Sequence, residues 1–149
     1  MELKELYQEI ILDHGKNPRN KGKCDGYTND AKAHNPLCGD KVHIYLNLNK
    51  DEIKELSFEG EGCAISLASA SILTDTLKGK NLSFTKKMVE DFLNMLKKKS
   101  KITLNSLSDD QITTIQSLSG VQEFPMRIKC ATMAWHTLLS AIDNKKGKN

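Results

Sequence analysis

The chain has 149 residues, 38% of them apolar and 28% charged, which suits one domain able to bury a hydrophobic core. Its 22 basic and 19 acidic residues leave a net charge of +3, too small to argue for a nucleic-acid partner, and no basic stripe is interleaved with aromatics. No apolar run approaches the roughly 18 residues of a membrane span. The opening Met1-Glu2-Leu3-Lys4-Glu5 reads as neither signal nor transit peptide, so the expected setting is a reducing cytoplasm.

Leu3, Leu6, Tyr7, Ile10 and Ile11 recur at spacings of three and four, with His14 ending the stripe. This predicts an amphipathic helix that Gly15 stops. Residues 15–27 carry glycine, proline and asparagine without periodicity and read as an irregular connection. Residues 29–34 are placed as a strand. From Lys41 the period becomes two: Val42, Ile44, Leu46 and Leu48 share one face, with His43, Tyr45 and Asn47 on the other. Asn49-Lys50-Asp51-Glu52 turns the chain into a second strand over 53–59, with Leu56 and Phe58 facing inward.

After Gly60-Glu61-Gly62 the period is helical again. Ile65, Ala68, Ser69, Ile72, Leu73 and Thr76 mark a helix ending near Gly79, and a second covers about 84–97 with Met88, Phe92 and Met95 or Leu96 inward. The polar stretch 97–107 reads as a loop, and Ser108 as the N-cap of a short helix over 109–118. Pro125 opens a long helix to about residue 143, buried along Ile128, Ala131, Trp135, Leu138 and Ile142, and residues 144–149 are left as a frayed tail. The order predicts an α+β fold, a small antiparallel sheet of about three strands packed by helices, in a single domain over 1–149.

Four cysteines in a cytoplasmic chain of this length point to metal binding or thiol chemistry before disulfides. Three of them occupy pointed positions. Cys38 lies in Asn35-Pro36-Leu37-Cys38-Gly39-Asp40, where Gly39 lets the backbone bend so that Cys38 and Asp40 face one point. Cys63 follows a glycine and opens a helix, where free N–H groups favour a thiolate. Cys130 lies in the first turns of the last helix behind Lys129, a cation that would also favour the thiolate. Taken singly, a cysteine is a small buried hydrophobe, Asp40 a turn residue and Lys129 a surface charge. Together, three thiols and a carboxylate can complete a tetrahedral metal site, and the harder oxygen ligand makes that site exchangeable. Cys24 is read as an incidental, partly exposed thiol. His14, His34, His43 and His136 are read as surface, cap or sheet-face residues, with His34, four residues before Cys38, the nearest to a ligand's position.

At these residues the chain resembles the U-type iron–sulfur assembly proteins, the IscU/SufU family related to the N-terminal part of NifU. The resemblance runs through residues 7–20, through His34-Asn35-Pro36-Leu37-Cys38-Gly39-Asp40, through Gly60-Glu61-Gly62-Cys63-Ala64-Ile65-Ser66, and through Arg127-Ile128-Lys129-Cys130-Ala131-Thr132. Two features resemble the SufU branch: a long interval between Cys63 and Cys130, with extra residues around 98–118, and Lys129 where IscU proteins carry a histidine. The resemblance implies a zinc ion on Cys38, Asp40, Cys63 and Cys130, with Cys38 as the sulfur acceptor. It also implies a partner, a pyridoxal-phosphate cysteine desulfurase of the SufS type, which the chain would stimulate as a sulfurtransferase-like acceptor before passing sulfur to downstream iron–sulfur assembly proteins. The alternative it leaves is a scaffold that assembles a transient [2Fe–2S] cluster on the same four residues.

Overall fold

The computed structural model describes residues 2–98 and 107–145. Helix α1 (Leu3–Lys16) leads into strands β1 (Asn29–Asn35), β2 (Asp40–Asn49) and β3 (Glu52–Glu61). Helices α2 (Ala64–Leu77), α3 (Leu82–Lys98), α4 (Asp109–Gln116) and α5 (Pro125–Ile142) follow, with a 3₁₀ turn (Ser117–Val121) between the last two. The strands form one antiparallel sheet in the order β1-β2-β3. This is the α+β architecture expected, and Ser108 caps α4 through a capping box with Gln111.

The period of two in β2 buries Val42, Ile44 and Leu46 against the helices, opposite Phe58 and Leu56 of β3. Tyr45 keeps the outward face expected of it but is buried there too, because Tyr27 meets its ring edge-on and His43 stacks on it at 3.9 Å. Helix α2 is also buried beyond a single stripe, Ser66, Ser71 and Thr74 included, since it is sandwiched among α1, α5 and β3. At the centre Trp135 stacks on Phe92 with ring centroids 3.9 Å apart, and both Met95 and Leu96 are buried nearby. Trp135 Nε1 donates to Ser69 Oγ at 2.9 Å, and Ser69 Oγ donates to the Ala131 carbonyl at 2.5 Å. This ties α2 to α5 just beyond Cys130.

Gly15 does not stop α1. The helix runs one residue further and ends at Asn17, whose N–H donates to the Asp13 carbonyl at 2.8 Å. A mid-helix glycine costs only about 1 kcal/mol, and packing of this last turn on Ala64 at the start of α2 offsets it. His14, one residue earlier, is buried, with Nδ1 2.7 Å from Ser71 Oγ. Ser71 Oγ also accepts the Arg19 N–H, at 2.8 Å. Burial pushes the His14 pKa down.

The connection after α1 does more than link elements. Gly22 N–H donates to the Phe58 carbonyl, and Phe58 N–H to the Asn20 carbonyl, so residues 20–22 lie along the outer edge of β3. Asn144 and Lys145, expected to begin a frayed tail, are instead tied to β1. Of the expected loop over 97–107, residues 97 and 98 belong to α3, while 99–106 lie outside the described residues, as does most of the extra segment that precedes α4.

Candidate metal centre

Three elements converge where β2 begins. The chain leaves β1 through a tight turn in which the Cys38 and Gly39 N–H groups both reach back to the Asn35 carbonyl, with Gly39 at φ +71. That turn delivers Cys38 and, one residue into β2, Asp40. The β3–α2 junction delivers Cys63 as the N-cap of α2, its sulfur accepting the Ser66 N–H at 3.4 Å. The second turn of α5 delivers Cys130.

Cys38 Sγ and Cys130 Sγ stand 3.8 Å apart. Two sulfurs bound at ~2.3 Å to one tetrahedral zinc would be separated by about the same distance. Asp40 completes the group: one ligand atom each from Cys38, Asp40 and Cys130 lie within 4.8 Å of one another, and this triad could hold a metal ion. Cys63 stands just outside it, with Sγ 3.8 Å from Asp40 Oδ2.

Asp40 organises the centre. It is fully buried, and its Oδ1 accepts the Cys63 N–H at 2.9 Å, leaving Oδ2 toward the sulfurs. A carboxylate in this position needs a cation or further donors to offset its lost hydration, and a metal ion among the thiols would supply that. The approach of β3 to Asp40 is possible only because residue 62 is glycine. At φ +145, a Cβ there would lie 2.1 Å from Asp40 Oδ1 and 2.9 Å from Asp40 Cα. Gly60 is equally close-packed, its would-be Cβ 2.5 Å from the Lys41 carbonyl oxygen. Both glycines were legible as a turn signal, but not as the space that Asp40 occupies.

The three thiols differ in exposure: Cys130 is buried, Cys38 half-buried and Cys63 exposed. Burial pushes the Cys130 thiol far up, reinforced by hydrogen bonding with Asp40 and Cys63. The expectation that Lys129 would favour its thiolate is therefore overturned. Lys129 points to solvent, while the sulfur faces the buried carboxylate and two other thiols. Asn35 Nδ2 lies 3.6 Å from Cys38 Sγ as a donor. Leu37 beside it is 73% exposed, which gives the site an apolar rim.

The remaining candidates lie elsewhere. Cys24 is half-buried, with burial and then Glu55 raising its pKa. His43 Nε2 pairs with Asp30 at 2.7 Å on the sheet face, His14 is held by Ser71, and His34 and His136 are exposed. None of these joins the ligand group among the described residues.

The profile of the NifU-like N-terminal domain family matches residues 6–131, from the second turn of α1 through Cys130. The chain belongs to that family. Among its relatives is a zinc-dependent sulfurtransferase SufU from Bacillus subtilis, 40% identical over 147 residues that cover 97% of this chain and 94% of the relative. An iron–sulfur cluster assembly scaffold protein IscU from Streptococcus pyogenes is 34% identical, covering 94% of this chain and 84% of that one. A solved structure of SufU from Fervidobacterium islandicum, described as a cluster assembly scaffold for the SUF system, superposes with a TM-score of 0.78 at 31% identity, over 93% of this chain and 97% of that one. Among the described residues, no helix of this family member is long and apolar enough to cross a membrane.

Proposed function

We propose that this chain is a SufU-type iron–sulfur assembly protein, active in the cytoplasm. On this reading it holds zinc on Cys38, Asp40, Cys63 and Cys130 and accepts persulfide sulfur on Cys38 from a pyridoxal-phosphate cysteine desulfurase of the SufS type. The observation that carries the reading is the 3.8 Å pair of Cys38 and Cys130 sulfurs beside a buried Asp40 with one oxygen turned toward them. Family membership and the 40% identity to a zinc-dependent SufU support it. When bound, zinc would hold the thiols deprotonated at neutral pH while adding no redox chemistry of its own.

The chain's own residues divide the work. Cys130, buried on α5, and Cys63, whose backbone N–H anchors Asp40, hold the frame. Asp40 contributes an oxygen, a harder ligand than sulfur, which keeps the set exchangeable. Cys38 sits on the Gly39 turn, where its release requires no helix to move. Once released, the Cys38 thiolate attacks the outer sulfur of the partner's persulfide. A new S–S bond forms on Cys38, the old one breaks, and the partner's cysteine leaves as a thiolate, with no net oxidation. Downstream iron–sulfur assembly proteins then receive that sulfur.

A second reading, a scaffold for a transient [2Fe–2S] cluster as cargo, is supported by the 34% identity to an IscU scaffold over 94% of this chain. Anaerobic elemental analysis with a visible spectrum separates the two. The sulfur-acceptor reading expects a colourless protein with one zinc per chain. A brown, iron-containing protein that transfers its cluster intact would favour the scaffold. A desulfurase assay with and without the protein, repeated with Cys38→Ala, tests the acceptor role. Stimulation that survives the substitution would sink it.

A further inference from the structure

A small sheet has two outer edges, and among the described residues the chain's own segments cover three of their four halves. On β3, residues 20–22 bond to Phe58, and residues 79–81 bond to Ile53 and bridge Glu52 at the other end. On β1, Asp30 N–H donates to the Asn144 carbonyl and Asn144 Nδ2 donates to the Asp30 carbonyl, while Lys145 bridges Asn29. Strand alternation turns the backbone groups of Lys32 and His34 the same way as those of Asp30, away from β2. No strand among the described residues meets them. This open half of the edge is the one that leads to Cys38.

Beside it lies a groove of about 440 Å³ between β1 and one face of α5. Lys32, His34, Lys129 and His136 line it, all four exposed, with Thr132 and Thr137 on its floor. No carboxylate among the described residues lines it. Its inner end is formed by Asn35, whose amide donates to Cys38, and by Lys129, the neighbour of Cys130. The α5 face from Lys129 to Ser140 is about 16 Å long at 1.5 Å per residue, which accommodates about five residues of extended chain.

We propose that this groove receives an extended acidic segment of the protein that docks at the metal centre. The segment adds a strand to the open half of β1, and its carboxylates pair with Lys32, Lys129 and the two histidines. The open edge supplies main-chain hydrogen bonds, and the one-signed lining selects the side chains. Naming the cysteine desulfurase as the source of the segment rests on the function proposed above. The groove's preference for acidic strands does not.

The test uses the full-length, zinc-loaded protein and a blocked peptide of alternating glutamate and valine, with a lysine–valine peptide as the control. Backbone amide NMR should show shifts concentrated at Lys32, His34, Lys129 and His136 with the glutamate peptide alone. Hydrogen exchange at the Lys32 and His34 amides should slow. Lys32→Glu combined with His136→Glu, two exposed positions, should weaken the peptide about tenfold or more with an unchanged melting temperature. Equal response to the lysine peptide, or unslowed exchange, would overturn the strand-addition proposal. So would inorganic phosphate that moves the same amides and displaces the peptide, because the groove would then be a small-anion subsite. The same double variant should weaken binding of a SufS-type desulfurase, whereas Cys38→Ala should not. Peptide binding with unchanged desulfurase affinity would overturn the assignment of the partner, and failed sulfur transfer on Cys38 would leave the peptide result standing.

Discussion

Gly62→Ala isolates the geometric condition on which the metal centre depends. The added Cβ would sit 2.1 Å from Asp40 Oδ1 and 2.9 Å from Asp40 Cγ, and the backbone is at φ +145. The backbone strain costs about 1–3 kcal/mol. Asp40 is fully buried and cannot simply swing into solvent, so relieving the clash breaks its 2.9 Å bond from the Cys63 N–H. A hydrogen bond to a charged group is worth about 1.5–3 kcal/mol, which brings the sum to roughly 3–6 kcal/mol. For a chain of this size each kcal/mol moves the melting temperature by about 2–4 °C, so a drop on the order of 10 °C is expected. Zinc affinity, read by competition with a chromophoric chelator, should fall about 10–100-fold, the range for losing a residue that orients a ligand. Gly79→Ala is the control: at φ +85 with nothing within 4 Å, it carries the backbone strain without the clash. Zinc binding at wild-type affinity by Gly62→Ala, with a melting temperature matching Gly79→Ala, would refute the reasoning.

Other perturbations follow from the same structure. Ser69→Ala strands the Trp135 Nε1–H in the core, while the Ala131 carbonyl loses a second donor but keeps its partner within α5; at about 1–3 kcal/mol for an unpaired buried group, urea unfolding should show a loss of roughly that size. Burial holds the His14 pKa below its ordinary 6.5. Above that value His14 is neutral in folded and unfolded chains alike, and its contribution is complete. As pH falls below it, the unfolded chain takes up a proton that the folded chain resists, so stability drops toward the folded pKa. His14→Gln should flatten that slope in urea midpoints measured from about pH 7 to pH 5. Removing zinc with a chelator leaves the Asp40 carboxylate buried without its cation, so the melting temperature should fall and recover on adding zinc back.

Much of this was legible in the sequence because the informative residues announce themselves locally. The switch from a period of two to a helical period at Gly60-Glu61-Gly62 locates the β3–α2 junction within two residues, and Ser108 and Pro125 each open the helix they were read as opening. The three cysteines and Asp40 stood out by their settings, and the fold does bring Cys38, Asp40 and Cys130 into one group. What was not legible depends on contacts between distant segments. Gly15 has the chemistry of a helix stop, but Ala64, far along the chain, packs its turn into the helix. Tyr45 alternates outward as expected and is buried by Tyr27 and His43 all the same. Lys129 adjoins Cys130 in sequence, yet a helix turns neighbouring side chains in different directions, and burial governs the sulfur. The exposure of Cys63, greater than that of Cys38, also depends on how the β3–α2 junction meets the sheet.

The division of labour among the thiols is the central claim, and peptide mapping by mass spectrometry tests it most directly. The zinc-loaded protein is incubated anaerobically with a SufS-type desulfurase and cysteine, free thiols are blocked, and the peptides are assigned. The account predicts one added sulfur atom on the Cys38 peptide, absent from Cys38→Ala, with Cys63 and Cys130 unmodified. Added sulfur on Cys63, the more exposed thiol, with Cys38 unmodified would contradict it.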